Sequence, residues 1–112
     1  YMSTHYIRTE IIHLDSLTGM HAQQEVKITF DDSAEYLGRY IISAAGKAFV
    51  FSKRFDLPKI VLLNVIRHEY AHYMAHSVYH CMDHSFLFRR CCEQIGCDDN
   101  VIRDFLTEHN FG

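Results

Sequence analysis

Proline and glycine are scarce in this chain, with one and five in 112 residues, which excludes a collagen-like or Pro/Gly-rich low-complexity polymer. No apolar run approaches the ~20 residues that a membrane-spanning helix needs. Ile60 to Leu63, for instance, is interrupted by Asn64. No excess of one charge marks the chain as a globally basic nucleic-acid or membrane-surface module: 11 Lys+Arg stand against 14 Asp+Glu, a net charge of −3. The four cysteines, Cys81, Cys91, Cys92 and Cys97, all fall in the last third and leave a disulfide framework nothing N-terminal to staple. Reduced thiols are the expectation, and without a C-x2-C pair no zinc ribbon is encoded. No charged-then-apolar leader of the signal-peptide kind opens the sequence, which begins at Tyr1 rather than Met and so leaves room for a targeting segment or domain upstream; a cytoplasmic location, or a nuclear one in a eukaryote, is the expectation.

What is present is an ordinary folded composition, 48 % hydrophobic and 22 % charged, and an excess of histidine, nine in all. The length suits one domain over residues 1–112 rather than two. Ser3 to Leu14 places Ile7, Ile11 and Leu14 on one helical stripe, with Ser3 or Thr4 as cap. Val26, Ile28 and Phe30 alternate with polar residues as in a half-buried strand. Tyr36 to Ile42 and Lys47 to Ser52 read as an antiparallel hairpin about Ser43-Ala44-Ala45-Gly46. The second of these strands is a candidate edge for an extended substrate.

At Asp56-Leu57-Pro58 an acidic cap candidate and a first-turn proline announce a helix from about Lys59 through at least Met74. Ile60, Val61, Leu62, Leu63, Val65 and Ile66 surround its axis, so it belongs in the middle of the domain. A further helix is expected after Asp83, with Leu87, Cys91 and Ile95 on one stripe and an end at Gly96. A last one, capped by Asp98 or Asp99, should turn Val101, Ile102, Phe105 and Leu106 inward. The fold class is therefore α+β, a small antiparallel or mixed sheet packed on a central helix with further helices at both ends.

That central helix contains His68-Glu69-Tyr70-Ala71-His72, an HExxH sequence. Residues four apart on a helix lie one above the other, so both imidazoles can reach one Zn²⁺ at ~2.0–2.1 Å with Glu69 beside them. This is the chemistry of a zinc hydrolase, with Glu69 as general base. Two histidines and a carboxylate in an otherwise apolar helix would be costly to bury without a metal or hydrogen-bond partner. A third ligand is needed, and His76, His80, Asp83, His84 and Glu93 are the candidates. One continuous helix would carry His84 about 24 Å from His68, so a useful His84 requires the chain to leave the helix after about His76 and return at the next helix. The oxyanion could be met by Tyr73, His76, Tyr79 or His80.

Leu37-Gly38-Arg39, the strand Ala48 to Ser52, the HExxH helix and His84-Ser85-Phe86-Leu87-Phe88 together resemble the SprT-like zinc metalloprotease domain over roughly residues 25 to 97. That family follows its HExxH helix with a His-Gly-x-x-Phe element. His84 and Phe88 match it, while Ser85 stands where glycine is usual and is similar to related small bacterial metallopeptidase-like proteins. The resemblance implies a minimal zincin fold, one zinc per chain held by His68, His72 and His84, Glu69 as general base, and protein or peptide substrates. It also implies possible DNA contact, for which Lys53, Arg54, Lys59 and Arg67 form a candidate patch. The alternatives are a catalytically silent zincin-fold module that binds DNA or protein, and a histidine-rich metal-binding protein.

Overall fold

The computed structural model describes residues 1–109. The chain runs α1 (Thr4–Thr18), α2 (Ala22–Glu25), β1 (Val26–Asp31), β2 (Gly38–Ser43), β3 (Gly46–Ser52), α3 (Lys59–Tyr79), α4 (Phe86–Ile95) and α5 (Asp99–Glu108). It is an α+β fold, as expected. Among the described residues, no helix is long and apolar enough to cross a membrane.

Ser3 caps α1 by accepting from the Tyr6 amide at 3.2 Å, and Ile7, Ile11 and Leu14 are its buried stripe. The helix continues four residues past Leu14 until Gly19, whose φ of 76° suits a residue without Cβ. Asp15 then accepts from the amides of Ala22 and Gln23 at 2.9 and 3.0 Å and so opens the one-turn helix α2, which alternation did not announce.

The sheet order is β1-β3-β2: β1 runs parallel to β3, and β2 antiparallel to it, with Ile28 and Tyr40 both opposite Phe49. The expected hairpin forms, its first strand beginning at Gly38 rather than Tyr36. The edge role does not fall on 48–52. Phe49, Val50, Phe51 and Ser52 are all buried, because β3 is paired on both sides, and the edge beside α3 is β2.

Helix α3 lies across the sheet, with Phe49 stacked on Tyr70 and set edge-on to Tyr73, and it also touches α1, α4, α5 and β2. Its side chains are buried nearly all round, as the unbroken apolar run requires. Pro58, not Asp56, is its N-cap. It also runs to Tyr79, three residues beyond His76, and closes on His80 in the left-handed conformation at φ 56°. Asp83 accepts from the Ser85 amide and the Cys81 thiol, ordering the loop instead of capping α4. On α4 the buried stripe is Phe88, Cys91, Cys92 and Ile95, with Leu87 half-buried. On α5 only Phe105 is buried, while Val101, Ile102 and Leu106 are half-buried, short of the inward packing expected of them. The four cysteines are free thiols.

Close packing of β2 on α3 is what brings the sheet edge to the HExxH turn. A Cβ on Gly38 would stand 2.8 Å from Val65 Cγ1 and 3.4 Å from the Val50 carbonyl oxygen. Gly38→Ala is therefore expected to destabilise the protein by about 1–3 kcal/mol through overpacking. Denaturant midpoints of the two proteins, compared at constant m-value, check this; an unchanged midpoint would show that β2 does not depend on close approach.

Candidate metal centre

Asn64, His68 and His72 succeed one another by single turns on one side of α3, and each holds something different. Buried Asn64 donates to the Ile60 carbonyl at 2.9 Å and accepts from the Asp98 amide at 2.8 Å, which ties the start of α5 to α3. With the side chain of Asp98 capping α5 through the Asn100 amide at 3.0 Å, the next carboxylate, Asp99, is free to meet His68 Nδ1 at 2.9 Å. A carboxylate on Nδ1 fixes the ring's orientation and leaves the Nε2 lone pair available.

The loop between α3 and α4 returns His84 two residues ahead of α4. Its Nε2 lies 3.2 Å from His68 Nε2 and 3.1 Å from His72 Nε2. Ligands at tetrahedral angles and 2.0–2.1 Å from zinc stand ~3.3 Å apart, so these spacings fit one zinc ion with a position left for solvent or substrate. Phe88 packs on all three imidazoles, with ring centroids at 4.9, 4.2 and 4.9 Å from His68, His72 and His84, and is nearly stacked on His72. One aromatic ring on the α4 stripe thus restricts all three rotamers.

Burial shapes the protonation of these groups. It drives His72 down to about 4, helped by the positive charge of His68 and His84, so the ring is neutral at physiological pH. Burial also lowers His68, against the opposing pull of Asp99. Asp99 itself would be raised by burial, but its hydrogen bond to His68 and their charge interaction outweigh that and hold it below the usual carboxylate range. Glu69 is 5 % exposed, and burial raises it to about 8 although the Tyr40 backbone N–H donates to it. No ion pair reaches Glu69 among the described residues. A cation held beside it would favour its charged form.

Two spaces open here. One of about 400 Å³ is lined by Glu35, Leu37, Val65, Glu69, Ile102 and Leu106 among others, and one of about 220 Å³ by Arg39, Tyr40, Glu69, His72 and Met82 among others; both reach His68 and His84. The site is therefore open on the β2 side and contains a carboxyl group.

The remaining sequence candidates lie elsewhere. His76 and His80 lie edge-on to each other with ring centroids 6.1 Å apart, outside the three-histidine cluster; Asp83 is engaged by Cys81 and Ser85; and Glu93 lines a separate groove with Met74 and Val78. The Tyr73 hydroxyl donates to Glu25 at 2.7 Å and Tyr79 is exposed. Of the four candidate patch cations, Arg67 bonds Glu10 at 3.1 Å and Arg54 pairs with Asp32 at 3.2 Å, while Lys53 and Lys59 lie over the rings of Phe30 and Tyr1. Sequence reasoning missed Asp99, Ile102 and Leu106 at the site. The one available signal was the doubled Asp98-Asp99, of which a helix needs only one as cap.

The chain has a metallopeptidase-like fold. It is similar to the crystal structure of the metallopeptidase zymogen of Pyrococcus abyssi abylysin, with a TM-score of 0.69 over 91 % of this chain and 93 % of that one, at 18 % sequence identity. No protein-family model and no curated protein matches the sequence.

Raising Glu69 has a consequence for the metal-free protein. Between an unfolded value of 4.5 and about 8 the native state binds the extra proton, so stability falls as pH rises through that window. Glu69→Gln removes this dependence. Its stability advantage over the unsubstituted, metal-free protein is expected to grow by roughly 1 kcal/mol between pH 7 and 8.5, read from denaturant midpoints. A constant difference across that range would contradict the burial argument. For Asp99→Ala, metal affinity at the three-histidine cluster is expected to fall by about 10–100-fold with the fold retained, as a Zn²⁺ titration against a chelating dye would register.

Proposed function

We propose that this protein is a zinc-dependent peptidase of the SprT-like kind, with His68, His72 and His84 as zinc ligands and Glu69 as general base. The observation that carries the reading is the approach of His84 Nε2 to both His68 Nε2 and His72 Nε2, at 3.2 and 3.1 Å, beside a buried carboxyl that has no ion pair among the described residues. Three nitrogen donors with an open position suit catalytic zinc better than a closed structural site. Zinc in that position supplies Lewis-acid polarisation of a peptide carbonyl and activation of water for attack.

The protein's own groups supply the rest. Neutral His72 and Asp99-supported His68 need not lose a proton to coordinate at neutral pH. Glu69, held by the Tyr40 backbone N–H, takes a proton from the attacking water and returns it to the leaving amine. Edge strand β2 offers its backbone to an extended substrate alongside Glu69, a role that β3 cannot fill. The histidine-rich buffering alternative loses ground because His76 and His80 stand outside the cluster.

About one zinc per chain is expected, lost in His84→Ala. Glu69→Gln should keep the zinc and lower kcat/KM on an unfolded protein substrate by about 10²–10⁴-fold. Metal analysis and a cleavage assay on both variants check this. Undiminished cleavage by zinc-loaded Glu69→Gln would refute the assignment of the base, and unchanged zinc content in His84→Ala would refute the ligand set.

A further inference from the structure

Helix α5 presents apolar side chains to the cleft. Ile102 and Leu106, four residues apart and hence on one stripe, lie beside the buried anchor Phe105 and remain half-buried. Both line the 400 Å³ space next to Glu69, and both also line a space of about 380 Å³ that shares His68 and His84 with it. The two spaces are lobes of one cleft that share this apolar wall.

Their charges differ. The first lobe carries Glu35 near Leu37 and Val65. The second is bordered by Arg89 from α4 and Arg103 from α5, and among the described residues Asp99 is the only carboxylate lining it. Asp99 is taken up by His68 Nδ1 at 2.9 Å and the Cys97 thiol at 3.4 Å. Among the described residues, Arg103 donates only to the neutral Asn100 side chain, at 3.2 Å, and Arg89 makes no ion pair. An apolar wall left half-exposed gains free energy when a large apolar group covers it, and two arginines without carboxylate partners attract an anion.

We propose that α5 makes the cleft selective for peptides that place a large aliphatic or aromatic side chain against Ile102 and Leu106 and a carboxylate toward Arg89 and Arg103. This rests on the peptidase reading for its substrate class, but the selectivity resides in binding and can be measured without turnover. The carboxylate has two possible sources, an Asp or Glu side chain within two residues of the apolar one, or the free C-terminus of the peptide.

Fluorescence anisotropy with zinc-loaded Glu69→Gln and labelled peptides tests the proposal. The peptides carry Phe, Leu or Ala at one position, Glu or Gln nearby, and a free or amidated C-terminus. Phe and Leu peptides should bind at least about 10-fold more tightly than Ala peptides. A carboxylate should add about threefold at low salt, and the pair of arms identifies its source. In the Glu69→Gln background, Ile102→Ala with Leu106→Ala should flatten the Phe-over-Ala preference, Leu106→Trp should shift it toward Ala by filling the lobe, and Arg89→Glu with Arg103→Glu should reverse the carboxylate preference. Circular dichroism and zinc content establish that each variant is folded. Equal affinity for all peptides, or preferences unmoved by these substitutions in folded protein, would overturn the proposal. Selective binding combined with no cleavage by the unsubstituted protein would sink the peptidase reading and leave the cleft's selectivity standing, whereas cleavage of peptides that bind without preference sinks the selectivity alone.

Discussion

A helix that must be apolar all round and yet carries His68, Glu69 and His72 sets the terms for the rest of this molecule. Burying these groups without partners would cost about 1–3 kcal/mol each by the measure of protein mutational data. The fold answers by surrounding that one turn with complementary groups: Asp99 on His68, the Tyr40 backbone N–H on Glu69, and His84 facing both imidazoles. His72 is the exception, its Nδ1 buried with no hydrogen-bond partner among the described residues, and its ring is set by stacking on Phe88.

Each partner is delivered by a different element, and the delivery is traceable to single residues. Gly38 lets β2 approach α3 closely enough for the strand's backbone to reach Glu69. Asp83 orders the loop that returns His84. Asn64, one turn ahead of His68, holds the Asp98 amide and so sets α5 at the depth where Asp99 meets the ring and Ile102 and Leu106 face the cleft. Position within α3 therefore couples sheet edge, loop and last helix to one site, with Tyr70 and Tyr73 anchoring the opposite face through Asp15 and Glu25.

Periodicity made the large features legible. Alternation at Val26–Phe30, the apolar run of α3 and the HExxH spacing are local signals, and the strands, core helix and histidine pair appear where those signals place them. What periodicity could not convey was pairing between distant segments. Whether β3 is an edge depends on β1, more than fifteen residues earlier in the chain, joining it in parallel. The apolar residues of α5 look like core in the sequence because a stripe has the same spacing whether it meets the protein's own interior or a cleft. Asp99 was masked by its neighbour, since two adjacent aspartates at a helix start both satisfy a capping rule and only tertiary structure separates the cap from the histidine's partner.

In the proposed peptidase, three imidazoles and no other side chain hold one zinc ion. The nearby thiol of Cys97 and carboxylate of Asp99 offer a competing donor set around His68. X-ray absorption at the zinc edge separates the two directly, because Zn–S distances of ~2.3 Å stand apart from Zn–N and Zn–O distances of ~2.0–2.1 Å. The expected spectrum shows a four-coordinate shell of light atoms, three of them with the outer-shell scattering of imidazole, and no sulfur. A sulfur neighbour, or a shell with a single imidazole, would contradict it.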